Sequence, residues 1–383
     1  MLIIDGHLDL AWNALNWNRD ITLPVADIRR AEAGNPGKHR GANTVSLPEM
    51  RKAEVGVCLA TLLARASGLA EPLLDYPSRE IASGMARGQL AYYRILESQG
   101  QVRLIGDWAS LVAHAQAWGA QIEGSKSKSE VRGPKPEDRT SDFRVRTSDA
   151  PLGFIVSMEG ADPILSPSQV AEWWEKGLRV LEPVHYGANA YAHGTGSSGG
   201  LTPLGRDLLK AMDEVKMVLD VTHLADESLG EALDLFRGPV LASHHNCRAL
   251  VPGSRQLADE QIRRLIERDA VIGAAFDSWM LCPGYVFGET PNSLVRMEAV
   301  ADHIDHVCQL AGNAQHAALG TDLDGGFGRE QSPHDLETIE DVQKISAILR
   351  QRGYREPDVE AVMHGNWLRF FRKAWTGRGV ASA

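Results

Sequence analysis

Short apolar runs recur along the chain, separated by stretches whose apolar residues repeat at helical spacing. The runs are Leu2 to Ile4, Val55 to Leu63, Leu152 to Met158, Leu178 to Val184, Lys216 to Val221, Pro239 to Ala242, Ala270 to Phe276 and His316 to Gly320. Each has the length and β-branched content of a buried strand. Between them the spacing predicts helices over about 77–98 and 107–120, the first carrying Ile81, Met85, Leu90, Tyr93 and Leu96 as a core-facing stripe. Residues 10–54 form a long polar connection rich in Trp, Asn and Gly, closing with a helical segment from Ser46 to Ala53. Residues 123–150 are polar and charged and act as an insertion, with at most one exposed strand at Phe143 to Arg146. Parallel strands need crossover helices and are buried on both faces, so eight such runs predict an α/β fold of the (β/α)8 TIM barrel type. The expectation is one catalytic barrel domain over residues 1–383.

Composition narrows the partners. With 383 residues, 43% of them hydrophobic, the chain can bury a large core. A formal net charge of -10 and the absence of a Lys/Arg block argue against nucleic acid or an anionic membrane surface and for a small-molecule substrate. A homodimer is left open. No apolar run approaches the roughly 18 residues of a membrane span, and Met1 opens directly onto the first strand, so a cytoplasmic protein is expected. The four cysteines, Cys58, Cys247, Cys282 and Cys308, form no CxxC pair and read as buried thiols, Cys247 and Cys282 being the pair placed to meet.

In a parallel barrel the chemistry sits at the C-terminal strand ends. The first run is followed by His7 and Asp9, the third by Glu159, the fourth by His185, the fifth by His223, the sixth by His244 and the eighth by Asp322. One His-x-Asp pair alone reads as an ordinary strand end, and Arg255 alone as a solvated helix-start arginine. Six of eight strand ends carrying ligand or acid-base types is another matter, because burying such groups for packing alone costs desolvation at each. A metal site with mixed N/O ligands follows. Gly194 to Gly199 fits GxGxxG with Asp220 about 20 residues on. It neither follows a strand directly nor opens a helix, since Thr202-Pro203 begins the next one, and it reads as a flexible active-site loop.

These residues resemble the membrane (renal) dipeptidase family of binuclear zinc peptidases in the amidohydrolase superfamily. The likeness runs through Asp5-Gly6-His7-Leu8-Asp9, Glu159-Gly160, Thr222-His223, Ser243-His244, Ser254-Arg255, Gly320-Thr321-Asp322-Leu323-Asp324-Gly325 and the final Asn366 to Phe371. It implies two zinc ions per chain, His7, Asp9 and Glu159 holding one and Glu159, His223 and His244 the other, with Glu159 bridging. It implies a metal-bridging hydroxide as nucleophile, Asp322 as proton-transferring carboxylate, His185 as the catalytic and substrate-binding group that stabilises the oxyanion, and Arg255 as the partner of a substrate carboxylate. The substrate expected is a dipeptide, including those with a C-terminal D-residue. The sequence departs from the family at Gly160-Ala161-Asp162 and Glu182-Pro183-Val184. His245 offers a rival imidazole, but period two points one of the pair away from the metals, and His244 is the expected ligand. The polar end Thr376 to Gly379 has no counterpart to a lipid anchor. Two alternatives stay open: another amidohydrolase-type reaction, such as N-acyl amino acid hydrolysis or deamination, and a metal-holding barrel that only binds.

Overall fold

A computed structural model describes residues 1–37, 39–68, 74–130 and 150–377, without the side chains of 121–130. Its strands are β1 (Ile3–Leu8), β2 (Val55–Leu63), β3 (Val102–Leu104), β4 (Leu152–Glu159), β5 (Val180–Leu181), β6 (Val218–Asp220), β7 (Val240–Leu241), β8 (Ile272–Ala274) and β9 (Ala317–Leu319). All pair in parallel, in the order β7-β6-β5-β4-β2-β1-β9-β8. A parallel bridge between Ala242 and Ile272, with Gly273 N–H donating to Ala242 O at 2.8 Å, joins the two ends of that order. The result is a nearly closed barrel of eight parallel strands with helices around it, as the alternating runs predict. The ninth strand, β3, pairs with Leu152 to Phe154 at the start of β4 and was not expected. Three residues are too short a run to stand out from the helices on either side.

Two apolar clusters hold the barrel. Inside it, Ile4, Val57, Leu59, Ile155, Val180, Val218, Leu241, Val271 and Ala318 meet Trp367, Phe370 and Phe371. The helix Asn366–Thr376 supplies the aromatic plug. Its Trp367 indole N–H donates to Leu319 O at 3.0 Å, and Asn366 Nδ2 donates to Ala314 O and Ala317 O. Truncating Phe371, fully buried here, to Ala should therefore cost about 3–5 kcal/mol. The larger cluster lies between strands and surrounding helices.

The helix expected near 77 runs Arg79–Ser98, where Ser78 Oγ accepts from Ile81 N–H as a cap. Its buried face is Ala82, Ala86, Leu90, Tyr93 and Leu96; Ile81 is 46% exposed, so the stripe starts one residue later than expected. Trp108–Glu130 continues ten residues beyond the expected end, and the rest of the insertion, including the strand expected at Phe143 to Arg146, lies outside the described residues. The connection 10–54 contains Leu10–Asn16, Val25–Glu32 and Leu47–Lys52 as short helices. Only the last was expected, because two turns give too little periodicity to register. All four cysteines are free; Cys247 and Cys282 form no bond, and Cys282 is only half-buried. Among the described residues no helix is long and apolar enough to cross a membrane.

Candidate metal centre and active site

The carboxyl ends of the strands converge on Glu159, the last residue of β4. Its Oε2 lies 3.6 Å from His7 Nε2. Its Oε1 lies 3.4 Å from both His223 Nε2 and His244 Nε2, and those two nitrogens are 3.3 Å apart. His7 Nε2 stands 3.4 Å from Asp9 Oδ2 and 3.8 Å from Asp322 Oδ1. All of these side chains except the slightly more open Asp322 are buried. Thus the two oxygens of one carboxylate face two different sets of donors. His245, next to His244, belongs to none of the ligand groups found among the described residues.

The hydrogen bonds behind the imidazoles sort them into acceptors and donors. Thr195 Oγ1 donates to His223 O at 3.4 Å, which leaves its oxygen to accept from His223 Nδ1–H at 2.9 Å. Ser243 Oγ stands 2.8 Å from His244 Nδ1. With the proton on Nδ1, each Nε2 turns a lone pair to the centre, the form a metal needs. His185 is the reverse case. Arg65 Nη1, which can only donate, meets His185 Nδ1 at 3.2 Å. The proton must then sit on His185 Nε2, 3.5 Å from Glu159 Oε1. Although His185 groups with Glu159 and His223 in space, its nitrogen there is a donor, suited to a developing oxyanion rather than a cation. Arg65 is itself fixed by a bidentate pair with Asp75 at 2.8 and 2.7 Å.

Burial and neighbours set the charges. Burial, then the Arg255 charge for His223 and Arg65 for His185, holds these imidazoles well below their ordinary range, and burial and His7 do the same to His244. Burial also pulls His7 down, but Glu159 and Asp9 outweigh it and hold that ring well above its usual range. Asp322 is pushed well up by burial, eased by His7 and reinforced by Glu159 and Asp9. A cation here would replace those protons: Asp9 Oδ1 is buried without a partner, and two Nε2 lone pairs facing each other need a positive centre between them. The donor set of imidazoles and carboxylates fits divalent zinc.

Backbone geometry explains several local motifs. His223 and Asp322 hold left-handed φ values of 66° and 59°, a strained choice for His that persists where surrounding structure enforces it. A Cβ at Gly325 would stand 1.9 Å from Asp322 Oδ1, so the Asp-Leu-Asp-Gly run needs its glycine. A Cβ at Gly320 would meet Ser243 O at 1.7 Å; the missing side chain lets the end of β7 lean across the barrel and carry His244 inward.

A cavity of about 660 Å³ opens over the centre, within the range of small-molecule sites. Asp9, Glu159, His185, His223, Arg255 and Asp322 line it, with Trp12, Trp17, Tyr186 and Trp279. Arg255 is 2% exposed; its Nη2 donates to His244 O at 2.9 Å while Nη1 has no partner. The Tyr186 ring packs on His185 and His223, centroids 4.8 and 4.9 Å away. Thr195, in the loop read as GxGxxG, was expected near the site but not as the hydroxyl behind His223. Arg65 was not expected at all; an arginine following β2 carries no local signal.

The family described as Membrane dipeptidase (Peptidase family M19) matches residues 1–378. A metallopeptidase from Rhodobacter sphaeroides, liganded with a phosphinate mimic of the dipeptide L-Ala-D-Ala, has TM-score 0.73 at 22% identity over 98% of this chain and 99% of that one. The probable dipeptidase PvdM from Pseudomonas aeruginosa has TM-score 0.70 at 16% identity, covering 98% and 96%. These structures share the fold. Dipeptidase tcpJ of Claviceps purpurea is 30% identical over 57% of this chain and 50% of its own length. An uncharacterised Klebsiella pneumoniae protein is 27% identical over 59% of this chain and 84% of its own. The aligned stretch thus spans about half the length of the fungal relative. With the whole-chain match to the family and the barrel carrying clustered His, Asp and Glu side chains at its strand ends, the chain belongs to the membrane dipeptidase family of metallopeptidases.

Proposed function

We propose that this chain hydrolyses the peptide bond of dipeptides, including those with a C-terminal D-residue, at two zinc ions. His7, Asp9 and Glu159 would hold one ion, and Glu159, His223 and His244 the other. The observation that carries this reading is the division of Glu159, one oxygen toward His7 and the other toward the His223/His244 pair. When bound, such a pair of ions supplies Lewis acidity and a water that is nucleophilic at neutral pH. The chain's own groups do the rest. Asp322 accepts the water's proton and delivers one to the leaving amine. His185, its proton fixed on Nε2 by Arg65, donates to the carbonyl oxygen as negative charge develops. Arg255 offers its unpartnered Nη1 to the free carboxylate one residue beyond the scissile bond.

That clamp works only if nothing extends the C-terminus, so longer peptides and C-terminal amides should be poor substrates. The L-Ala-D-Ala mimic held by the Rhodobacter neighbour supports a D-residue at that position. The test is a zinc-supplemented panel of dipeptides with L- and D-residues, their amides, and N-acyl amino acids. Preferential cleavage of free dipeptides is expected. Equal cleavage of a dipeptide and its amide, or preference for N-acyl amino acids, would overturn the dipeptide reading in favour of another amide hydrolysis at the same centre.

A further inference from the structure

Val180 of β5 packs inside the barrel with its counterparts from the other strands. Two residues on, the strand period turns Glu182 to the same interior, one layer closer to the centre. Glu182 is 1% exposed, and neither of its carboxylate oxygens has a partner. A Glu182 oxygen lies within 4.8 Å of ligand atoms of Glu159 and His244. Its neighbour in the same barrel interior behaves otherwise: Asp220 Oδ1 accepts from Thr222 N–H at 3.0 Å, Thr222 Oγ1 at 2.7 Å and Ser243 N–H at 3.1 Å. Buried polar groups are normally satisfied, and a carboxylate left bare is among the costliest exceptions.

We propose that Glu182 is a third carboxylate of the metal centre, a direct ligand to the ion held by Glu159, His223 and His244. This rests on the two-ion reading above. It makes the centre asymmetric. The ion on that side has four protein ligands and the ion of His7, Asp9 and Glu159 has three, with the shared water completing both. The ion with more protein ligands should leave slowly and the other quickly.

The test uses the full chain loaded with zinc. Chelator-driven release should be biphasic in the parent. In Glu182→Gln and Glu182→Thr the slow phase should quicken by about 10- to 100-fold, the range for altered ligand support. The cobalt-substituted parent and variants should differ in visible absorption, reporting changed coordination. Circular dichroism checks folding, and a crystal structure of the zinc-loaded parent makes the test independent of either variant. A Glu182 oxygen about 2.0–2.2 Å from an ion is expected there. Two ions with Glu182 coordinating neither, or unchanged release and spectra in folded variants, would overturn this inference alone. Fewer than two ions in the parent would overturn the two-ion reading and this inference together.

Discussion

Two buried ionic clusters lie near the mouth of the barrel, and they are built on opposite principles. In the first, Arg19 donates to both oxygens of Glu32 at 2.9 and 3.2 Å, to Asn13 Oδ1 at 2.6 Å and to His39 O at 2.8 Å. Glu32 also receives Arg40 at 2.7 Å and Gly41 N–H at 2.8 Å. Each Glu32 oxygen has two donors, and the cluster ties the segment 13–41 together. The second cluster surrounds Glu159 and leaves Asp9 Oδ1, both Glu182 oxygens and Arg255 Nη1 without partners. Similar residue types, similarly buried, thus make a closed network in one place and an open one in the other. The closed network is architecture; the open one has coordination left for ions and substrate.

Substitutions in the two clusters should separate accordingly. The largest loss is expected from Glu159→Ala, which removes the carboxylate facing both donor sets. The parent, purified without chelator, should contain about two zinc ions per chain. The variant should lose both with essentially all turnover, whereas His223→Ala should lose mainly one. Metal analysis decides it, and two ions retained in Glu159→Ala would remove Glu159 from the bridge.

Asp322→Asn should come next, keeping its metal while kcat falls roughly 10² to 10⁴-fold, as for general acid-base groups. Unchanged kcat would take Asp322 out of proton transfer, and lost metal would make it a ligand. Arg255→Met should lower kcat/KM for free dipeptides by roughly 30-fold or more, since it removes one side of a buried charge pair. The same change should hardly affect dipeptide amides, so the ratio of the two substrates is the measurement. Arg65→Met should be milder. By releasing the His185 tautomer it should reduce kcat about tenfold with KM and metal content little altered. Loss of metal in that variant would instead tie Arg65 to the metal centre.

The smallest effect on turnover belongs to the closed network. Glu32→Gln should leave activity and metal content intact yet lower stability by roughly 3 kcal/mol, because buried Arg19 loses its ionised partner. Burial raises Glu32, but Arg19, Gly41 N–H and Arg40 outweigh it and hold the carboxyl below its usual range. Its contribution is therefore complete above the ordinary carboxylate range and is lost as pH falls through the lowered value. Thermal unfolding from neutral to acid pH should show the parent and variant curves converging. A variant as stable as the parent at neutral pH would show the network to be dispensable.

Much of the centre could be read along the chain because each residue there follows a run of apolar strand residues. His7, Asp9, Glu159, His223, His244 and Asp322 stand where a barrel strand ends, and a strand end is a local feature. The period of two says only that His244 and His245 point to opposite sides; the resemblance at Ser243-His244 made the choice between them. Arg65, Tyr186 and Thr195 lie one step further out. Each acts through a partner 28 to 120 residues away or through ring packing, and no spacing rule along the chain encodes such a contact. Glu182 was visible only as a departure from the family pattern; its exposure and its bare oxygens belong to the folded barrel.

Alternation of buried strands with crossover helices was enough to specify a parallel barrel and the end at which its chemistry lies, since both follow from backbone pairing and period. The tertiary structure alone decided how the ring closes through one bridge between Ala242 and Ile272, how the aromatic helix Asn366–Thr376 plugs it, and which groups stand behind the rings of His223 and His185. Those outcomes depend on groups brought together from distant parts of the chain. Local pattern can name a histidine, but only the hydroxyl behind His223 and the guanidinium behind His185 make one ring an acceptor and the other a donor.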